Sequence, residues 1–202
     1  LIPRFFDASE GSVLVDGIDV KLFDRKELRQ RIALVPQQSV LFTGSILDNL
    51  RWGKPDATRE EIEKACEIAC ADEFIPKLSN GYDTWIGQGG VNLSGGQKQR
   101  LCIARALVRG CTILILDDST SAIDMSTEAR IRHRLREHTA NLTVIIIAQR
   151  IHSVMSADRI LVMDGGRIIG LGKHEDLLKD CQVYQDIYRS QMGLDPAGRE
   201  VV

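Results

Sequence analysis

The stretch that decides the fold runs Leu93-Ser94-Gly95-Gly96-Gln97-Lys98-Gln99-Arg100 and, after a helical pattern, continues as Ile113-Leu114-Ile115-Leu116-Asp117-Asp118. Its first part leads into a helix that we expect from about Gln97 to Arg109, closed by Gly110. Its second part ends a continuous apolar run that starts at Thr112. Such a run is typical of a strand covered on both faces.

Buried strands and helices alternate on both sides of this stretch. Ile32–Val35 has the pattern of a strand stopped by Pro36, and Leu142–Ala148 that of another buried strand. Helical patterns at Thr58–Ala71 and Ser126–Glu137 separate the strands. The alternation predicts an α/β fold with a mostly parallel sheet flanked by helices.

The last fifty residues show a different pattern. Ile160–Met163 and Arg167–Leu171 flank Asp164-Gly165-Gly166 and predict a β-hairpin. A polar helix is expected near Glu175–Ser190, followed by a loose tail over residues 191–202.

Composition excludes several classes of protein. The chain has 202 residues, enough for one α/β domain or one domain with a small subdomain. Its net charge of −2, with Lys and Arg spread along the sequence, argues against a nucleic-acid binder. The longest apolar runs fall well short of the roughly 18–20 residues that a membrane span needs.

Asp117 and Asp118 stand where the buried strand ends. In an open α/β sheet the carboxyl ends of the strands border the ligand crevice. One acid there can hold Mg²⁺ through its waters, and a second can polarise an attacking water. The alternative is a solvated strand end followed by a turn, and the pair alone leaves both interpretations open.

The start of the central helix also has two explanations. Ser94 as N-cap and Gln97 three residues later form a capping box, which accounts for both residues structurally. It does not account for Gly95 and Gly96, because glycines weaken a helix start unless something approaches the backbone closely. A helix N-terminus with bare N–H groups attracts phosphate.

Five motifs in order resemble the ATP-binding cassette family. Leu93–Arg100 resembles its signature motif, Ile113–Asp118 its Walker B strand and Ser121-Ala122-Ile123-Asp124 its D-loop. Val35-Pro36-Gln37 is similar to the Q-loop, and Ala148-Gln149-Arg150 occupies the place of the switch loop. The resemblance runs from Leu1 to about Gln191, and two segments near residues 81–93 are most similar to exporters.

The resemblance implies roles for the matching residues. In that family two cassettes sandwich two ATP molecules head to tail. Asp117 would then hold Mg²⁺, Gln37 would contact the metal and sense the γ-phosphate, and Asp118 and Gln149 would complete the catalytic set with Gln37.

On the other face, the signature segment would bind the ATP held by a partner cassette. Its residues are Leu93, Ser94, Gly95, Gly96 and Gln97. The D-loop, with Ser121 and Asp124, would cross the dimer interface.

Three departures from the family pattern concern the chain's own ATP site. No stretch fits the Gly-rich Walker A loop, which we expect before Leu1 in a longer polypeptide. Asp118 stands where hydrolytic members usually carry Glu, and is shorter by about 1.5 Å of reach. Gln149 replaces the usual His and cannot carry a positive charge toward a phosphate.

We therefore interpret the chain as the ATPase subunit of an exporter with a weak site of its own. The expected partners are a second, non-identical cassette and a transmembrane domain fused upstream, at the cytoplasmic face of a membrane. Val40, Leu41, Phe42 and Ile46 offer an apolar surface for that domain, or else a subdomain core. The two alternative functions are a regulatory module that binds ATP without hydrolysis and a soluble cassette ATPase without a membrane partner.

The resemblance also predicts the domain organisation. Residues 1–202 would form one nucleotide-binding domain that lacks its Walker A segment. Within it, residues at about 51–109 would form the helical subdomain that carries the signature motif.

Overall fold

The computed structural model describes residues 1–138 and 141–193 of the chain. The strands are β1 Leu14–Val15, β2 Ile18–Asp19, β3 Ile32–Val35, β4 Gly44–Ser45, β5 Trp85–Ile86, β6 Ile113–Asp117, β7 Thr143–Ile147, β8 Ile160–Asp164 and β9 Arg167–Gly172. The α-helices are α1 Arg25–Arg31, α2 Ile46–Arg51, α3 Arg59–Ile68, α4 Gly95–Val108, α5 Met125–His138, α6 His174–Asp180 and α7 Gln182–Met192. Short 3-10 turns lie at Val20–Leu22, Ala71–Glu73, Ile75–Lys77, Gly81–Asp83, Gln88–Gly90 and Ile151–Ser153.

The chain forms two compact units, Leu1–Ile147 and Ala148–Val202. The first is organised around a three-stranded parallel sheet in the order β3-β6-β7, with Val35 beside Leu116 and Leu116 beside Ile146. Helices α2 to α4 connect β3 to β6, and α5 connects β6 to β7. This arrangement confirms the predicted parallel α/β fold.

Alternate residues of β6 enter two separate hydrophobic clusters. Leu114 and Leu116 pack into the larger cluster with Ile103 of α4 and Ile131 of α5. The smaller cluster contains Ile115 together with the buried side chains of α1 and the β1–β2 hairpin. Burial on both faces explains why the sequence of β6 shows no polar alternation.

The two capping boxes that the sequence predicts are present, at the starts of α3 and α4. The amide of Glu61 donates to Thr58 Oγ1 at 3.2 Å, and the amide of Thr58 donates to Glu61 Oε2 at 2.9 Å. Ser94 and Gln97 make the same reciprocal pair at the start of α4. Each box satisfies two backbone N–H groups that a helix start leaves without partners.

The second unit contains the antiparallel hairpin β8–β9, which confirms that prediction, and two helices. The expectation of one helix over Glu175–Ser190 is wrong, because the backbone of Cys181 is extended and separates α6 from α7. A Cβ on Gly170 of β9 would lie 2.9 Å from the Cys181 sulfur, so the two residues pack closely. Helical periodicity continues through Cys181, so the sequence does not reveal the break.

The predicted loose tail does not begin at Gln191. Gln191 and Met192 belong to α7, which ends at Gly193. Residues 194–202 lie outside the described residues. In the part of the chain that the structure describes, none of the helices combines the length and apolar character needed to cross a bilayer.

Candidate functional site

The carboxyl ends of β3 and β6 bring three predicted site residues to one edge of the sheet. We call Gln37, Asp117 and Asp118 the catalytic corner. Gln37 Nε2 donates a hydrogen bond to Asp118 Oδ2 at 3.2 Å, although the two residues are 81 positions apart. Asp117 ends β6 with an exposed side chain. The sheet therefore assembles the corner at the edge where the fold class places ligands.

The backbone at Asp118 is unusual for a residue that is not glycine. Its φ angle is +45°, in the left-handed region that Asp and Asn tolerate better than most side chains. The Asp118 amide donates to the carbonyl oxygen of Ile147 at 2.8 Å, which continues the β6–β7 ladder past the strand end. Because of this sharp turn, the side chains of the consecutive residues Asp117 and Asp118 point in different directions.

A polar atom beside this turn is left without a protein partner. The side chain of Ser119 is buried, with 1% of its surface exposed. Its hydroxyl makes no hydrogen bond within the described residues. Burying such a group costs free energy unless it is paired, so this part of the corner is not optimised for stability.

The side chains of the catalytic corner fit Mg²⁺ better than they fit a metal ion that takes all its ligands from protein. Among the residues that the structure describes, three or more His, Cys, Asp or Glu side chains never gather into a cluster that could hold a metal ion. Mg²⁺ needs only one or two carboxylates, because waters and substrate phosphates supply its other ligands. Asp117 offers an exposed carboxylate and Gln37 a neutral amide oxygen, which are groups that such a site could use.

The second group of predicted residues lies at the start of α4 and in the loop before α5. We call Leu93–Gln97 together with Ser121–Asp124 the signature corner. Gln97 donates its amide hydrogen to Ser94 Oγ at 3.3 Å, and Ser94 donates its own to Gln97 Oε1 at 2.9 Å. Leu93 is 7% exposed and belongs to the core, so its side chain is not available to a ligand.

The two glycines of the signature corner face the loop before α5 within the same chain. A Cβ on Gly95 would lie 3.2 Å from Ala122 Cβ. A Cβ on Gly96 would lie 2.9 Å from the backbone carbonyl oxygen of Ala122, closer than real Cβ contacts allow. Close approach of the loop therefore explains why a side chain is excluded at Gly96, independently of any phosphate.

A side chain that the sequence analysis did not single out joins the two parts of the signature corner. Gln99 is 4% exposed, and its Oε1 accepts the amide hydrogen of Ala122 at 2.9 Å. Its Nε2 donates to Ser121 Oγ at 3.3 Å, and Ser121 Oγ donates to the Asp118 carbonyl oxygen at 3.0 Å. The only sequence signal is a polar residue on the apolar face of a predicted helix.

Asp124 has a local structural role at the start of α5. Its Oδ1 accepts hydrogen bonds from Ser126 Oγ at 2.7 Å and from the Thr127 amide at 2.9 Å. These two hydrogen bonds, to the Ser126 hydroxyl first and the Thr127 amide second, hold the pKa of Asp124 well below its usual range. The carboxylate is therefore ionised and oriented throughout the physiological range.

Gln149 lies at the beginning of the second unit. Its backbone carbonyl oxygen accepts a hydrogen bond from Gln191 Nε2 at 2.7 Å, and Gln191 Oε1 accepts the amide hydrogen of Ile151 at 2.8 Å. One side chain of α7 thus holds the backbone on both sides of Arg150. Gln191 is a second residue whose contribution the sequence did not reveal.

The segment that follows Gln37 in the chain contributes to an apolar surface. Of the four residues for which the sequence left a docking surface or a subdomain core open, Leu41 and Ile46 are core residues at 3% and 0% exposure. Val40 and Phe42 are exposed, and Phe42 stacks on Trp52 with ring centroids 4.6 Å apart. A cavity of about 200 Å³ opens here, lined among others by Leu34, Pro36, Phe42, Trp52 and Arg105.

Comparison with known proteins identifies the family. The family model described as "ABC transporter" matches residues 1–121. The uncharacterized ABC transporter ATP-binding protein YfiB of Bacillus subtilis is 47% identical over 96% of this chain and 33% of its own length. The ATP-dependent lipid A-core flippase of Desulfotalea psychrophila is 45% identical over 95% of this chain and 33% of its own length.

A solved structure is similar along nearly the whole chain. The structure of a bacterial Atm1-family ABC exporter with ATP bound superimposes with a TM-score of 0.91 at 40% identity. The match covers 94% of this chain and 34% of that one. The chain thus spans about a third of the length of the relatives it matches.

Proposed function

The chain belongs to the ABC transporter family, and from that membership we propose that it binds and hydrolyses ATP to power export of a substrate across a membrane. The similarity to an ATP-dependent flippase and to an Atm1-family exporter supports this class of activity. Because the chain spans about a third of such proteins, we propose that a transmembrane domain belongs to the same polypeptide or assembly.

One observation supports the catalytic assignment most directly. Gln37 and Asp118 meet at 3.2 Å beside the exposed Asp117, at the ends of two neighbouring parallel strands. In our proposal Asp117 and the Gln37 amide oxygen hold Mg²⁺, which when bound neutralises charge on the phosphates of ATP. Asp118 orients the attacking water and accepts its proton.

The signature corner serves a second cassette in this proposal. Backbone N–H groups at the start of α4 favour an anion, and the 14 residues of that helix add their dipole. Ser94, Gly95 and Gly96 contact the γ-phosphate of the ATP bound to the partner cassette. The D-loop, held against them by Ala122 and Gln99, lies at the interface between the cassettes.

The chain's own ATP site is the weaker of the two. Asp118 is shorter than the glutamate usual at this position, and about 1 Å of misplacement costs on the order of 10²-fold in rate. Gln149 can hydrogen-bond a phosphate but carries no positive charge. We therefore propose a non-identical partner cassette that supplies the second, active site, because a homodimer would have two impaired sites.

The apolar surface formed by Val40, Phe42 and Trp52 is our proposed contact for the transmembrane domain. Two stacked exposed aromatics beside a cavity are favourable for burying an apolar partner. The cavity beside this surface is lined by Pro36, the residue before Gln37, so contact there can influence the catalytic corner. In this proposal the chain lies at the cytoplasmic side of the membrane, as its similarity to ABC exporters supports.

The test of this assignment uses the whole purified transporter. The catalytic glutamate of the partner cassette is replaced by glutamine, with this chain unchanged. We expect ATP hydrolysis to fall by about 10²-fold, because only the weak site remains. If most of the activity survives, the assignment of weak and active sites is wrong.

A second candidate function rests on the same two residues. Asp118 and Gln149 are also what a regulatory module needs if it binds ATP and never hydrolyses it. Restoring glutamate at position 118 and histidine at position 149 distinguishes the two. A catalytic scaffold gains hydrolysis at this site, whereas a regulatory module keeps binding ATP without turnover.

A further inference from the structure

The start of α4 and the loop before α5 are held at a fixed distance by contacts from two sides. Gly96 leaves no room for a side chain against the Ala122 carbonyl oxygen, and a Cβ on Gly95 would be a tight 3.2 Å from Ala122 Cβ. On the next turn of α4, the amide group of Gln99 spans the gap with hydrogen bonds to Ala122 N and Ser121 Oγ at 2.9 and 3.3 Å. The first contact prevents the loop from moving closer, and the second prevents it from moving away.

The hydrogen bonds continue from Gln99 to the catalytic corner. Ser121 Oγ accepts from Gln99 and donates to the carbonyl oxygen of Asp118 at 3.0 Å. Asp118 in turn accepts from Gln37 at 3.2 Å through its carboxylate. A continuous series of polar contacts therefore runs from α4 to Asp118, the residue that we assign to the chain's own nucleotide.

We propose that Gln99 is a positioning residue that fixes the D-loop and the turn at Asp118 relative to the signature segment. Its amide is suited to this because it is buried and uses one donor and one acceptor at the same time. The proposal rests on the proposed function, since both elements matter only if they face ATP at a cassette interface. Because Gln99 is buried, its role in the proposal is to position these elements without touching the nucleotide itself.

A residue with only a packing role would behave differently. Replacing a core side chain lowers the free energy of unfolding but leaves the turnover of the folded molecules largely unchanged. A positioning residue changes the geometry of the transition state while the enzyme stays folded. The distinction is measurable as a separation of kcat from KM and as coupling between Gln99 and Ser121.

The test compares three variants of the whole transporter: Gln99→Leu, Ser121→Ala and the double variant. We expect Gln99→Leu to lower kcat by about 10-fold with KM within about 2-fold of the wild-type value. Ser121→Ala should lower kcat by a smaller factor. The double variant should be no worse than Gln99→Leu alone, because the hydroxyl acts through the amide.

Two further variants serve as controls. Gln99→Glu keeps an oxygen for the Ala122 amide but loses the donor to Ser121, so its kcat should fall between wild type and Gln99→Leu. Gln30→Leu makes the same change on the exposed face of α1 and should leave kcat unchanged. If the factors for Gln99→Leu and Ser121→Ala multiply in the double variant, or if only KM changes, the proposal is overturned.

A second measurement separates this proposal from the proposed function. Spin labels at the exposed Glu137 of α5 and on the partner cassette report closure of the two cassettes on adding ATP. Absence of turnover in the wild-type transporter would contradict the proposed function. Reduced closure in Gln99→Leu, with no further reduction in the double variant, would still support the positioning role, and unchanged closure would contradict it.

Discussion

The catalytic corner and the signature corner lie in the same compact unit but are held in place very differently. The signature corner has a reciprocal capping box, a glycine packed against a backbone carbonyl and a buried glutamine that bridges its two parts. In the catalytic corner the backbone of Asp118 is bonded to Ile147 and Ser121, but its carboxylate has one hydrogen bond among the described residues, from Gln37 at 3.2 Å. The buried hydroxyl of Ser119 beside it is paired by no described residue.

The difference shows which part of the site is preorganised before ATP binds. Satisfied buried polar groups fix a single arrangement, whereas exposed groups with one contact are free to rearrange. The corner that we assign to the partner's ATP is the rigid one. The corner that we assign to the chain's own ATP carries the shorter acid and the weaker support.

The largest effect is expected from a substitution that forces the two parts of the signature corner apart. In Gly96→Val the new Cβ meets the Ala122 carbonyl oxygen at 2.9 Å, so the D-loop must move. We expect ATP hydrolysis by the whole transporter to fall by about 10²-fold. The control is Gly87→Val, whose Cβ would meet only a side-chain methyl group of Val91, at 3.3 Å. Equal losses in both variants would show that the close approach at Gly96 has no special role.

The second largest effect is expected from a gain of ATP hydrolysis at the catalytic corner. With the partner's catalytic glutamate replaced by glutamine, Asp118→Glu combined with Gln149→His should raise the remaining ATP hydrolysis by about 10-fold or more. The longer acid reaches the water, and the histidine can carry charge toward the phosphate. Gln149→His alone is the control and should give a smaller increase. An unchanged rate in the combined variant would favour the regulatory alternative.

A smaller effect is expected on the stability of the signature corner. Ser94→Ala removes the N-cap of α4, which costs about 1 kcal/mol in the free energy of unfolding. The loss is measured as a lower midpoint in denaturant or thermal unfolding of the purified protein. Ser190→Ala, at an exposed position of α7, is the matched control and should change stability by less than about 0.5 kcal/mol. A result for Ser94 equal to that control would mean that the cap contributes nothing.

The smallest effect is expected from a serine-to-alanine substitution beside the catalytic corner. Ser119→Ala removes a buried hydroxyl that no described residue pairs, so the free energy of unfolding should stay the same or rise by up to about 1 kcal/mol. The opposite signs for Ser94→Ala and Ser119→Ala would sharpen the contrast between the two corners. A loss above about 1 kcal/mol at Ser119 would mean that its hydroxyl has a partner in solution.

Much of the fold followed from local patterns in the sequence. Both capping boxes formed at the predicted residues, because a cap depends on four consecutive positions. The run Ile113–Leu116 became the central strand, because only a strand covered on both faces carries apolar residues without alternation. The family membership followed from the order and spacing of five motifs, and the comparisons bear it out.

Other features could not be read from the sequence. The periodic pattern through Cys181 favours one helix, yet the chain bends there where Cys181 packs on Gly170 of a different element. Leu41 and Ile46 are as apolar as Phe42, and nothing local distinguishes the two core residues from the exposed one. Exposure depends on which elements pack against a segment, which is a property of the whole unit.

The sequence by itself determined the class of the protein, the strand that carries the acids and the segments that flank it, since these depend on residue type and short spacing. The tertiary structure alone decided that Gln99 meets Ser121 and Ala122 and that Gln37 meets Asp118. These partners lie 22 to 81 positions apart, and only the packing of α4 and β3 around β6 brings them within hydrogen-bond distance.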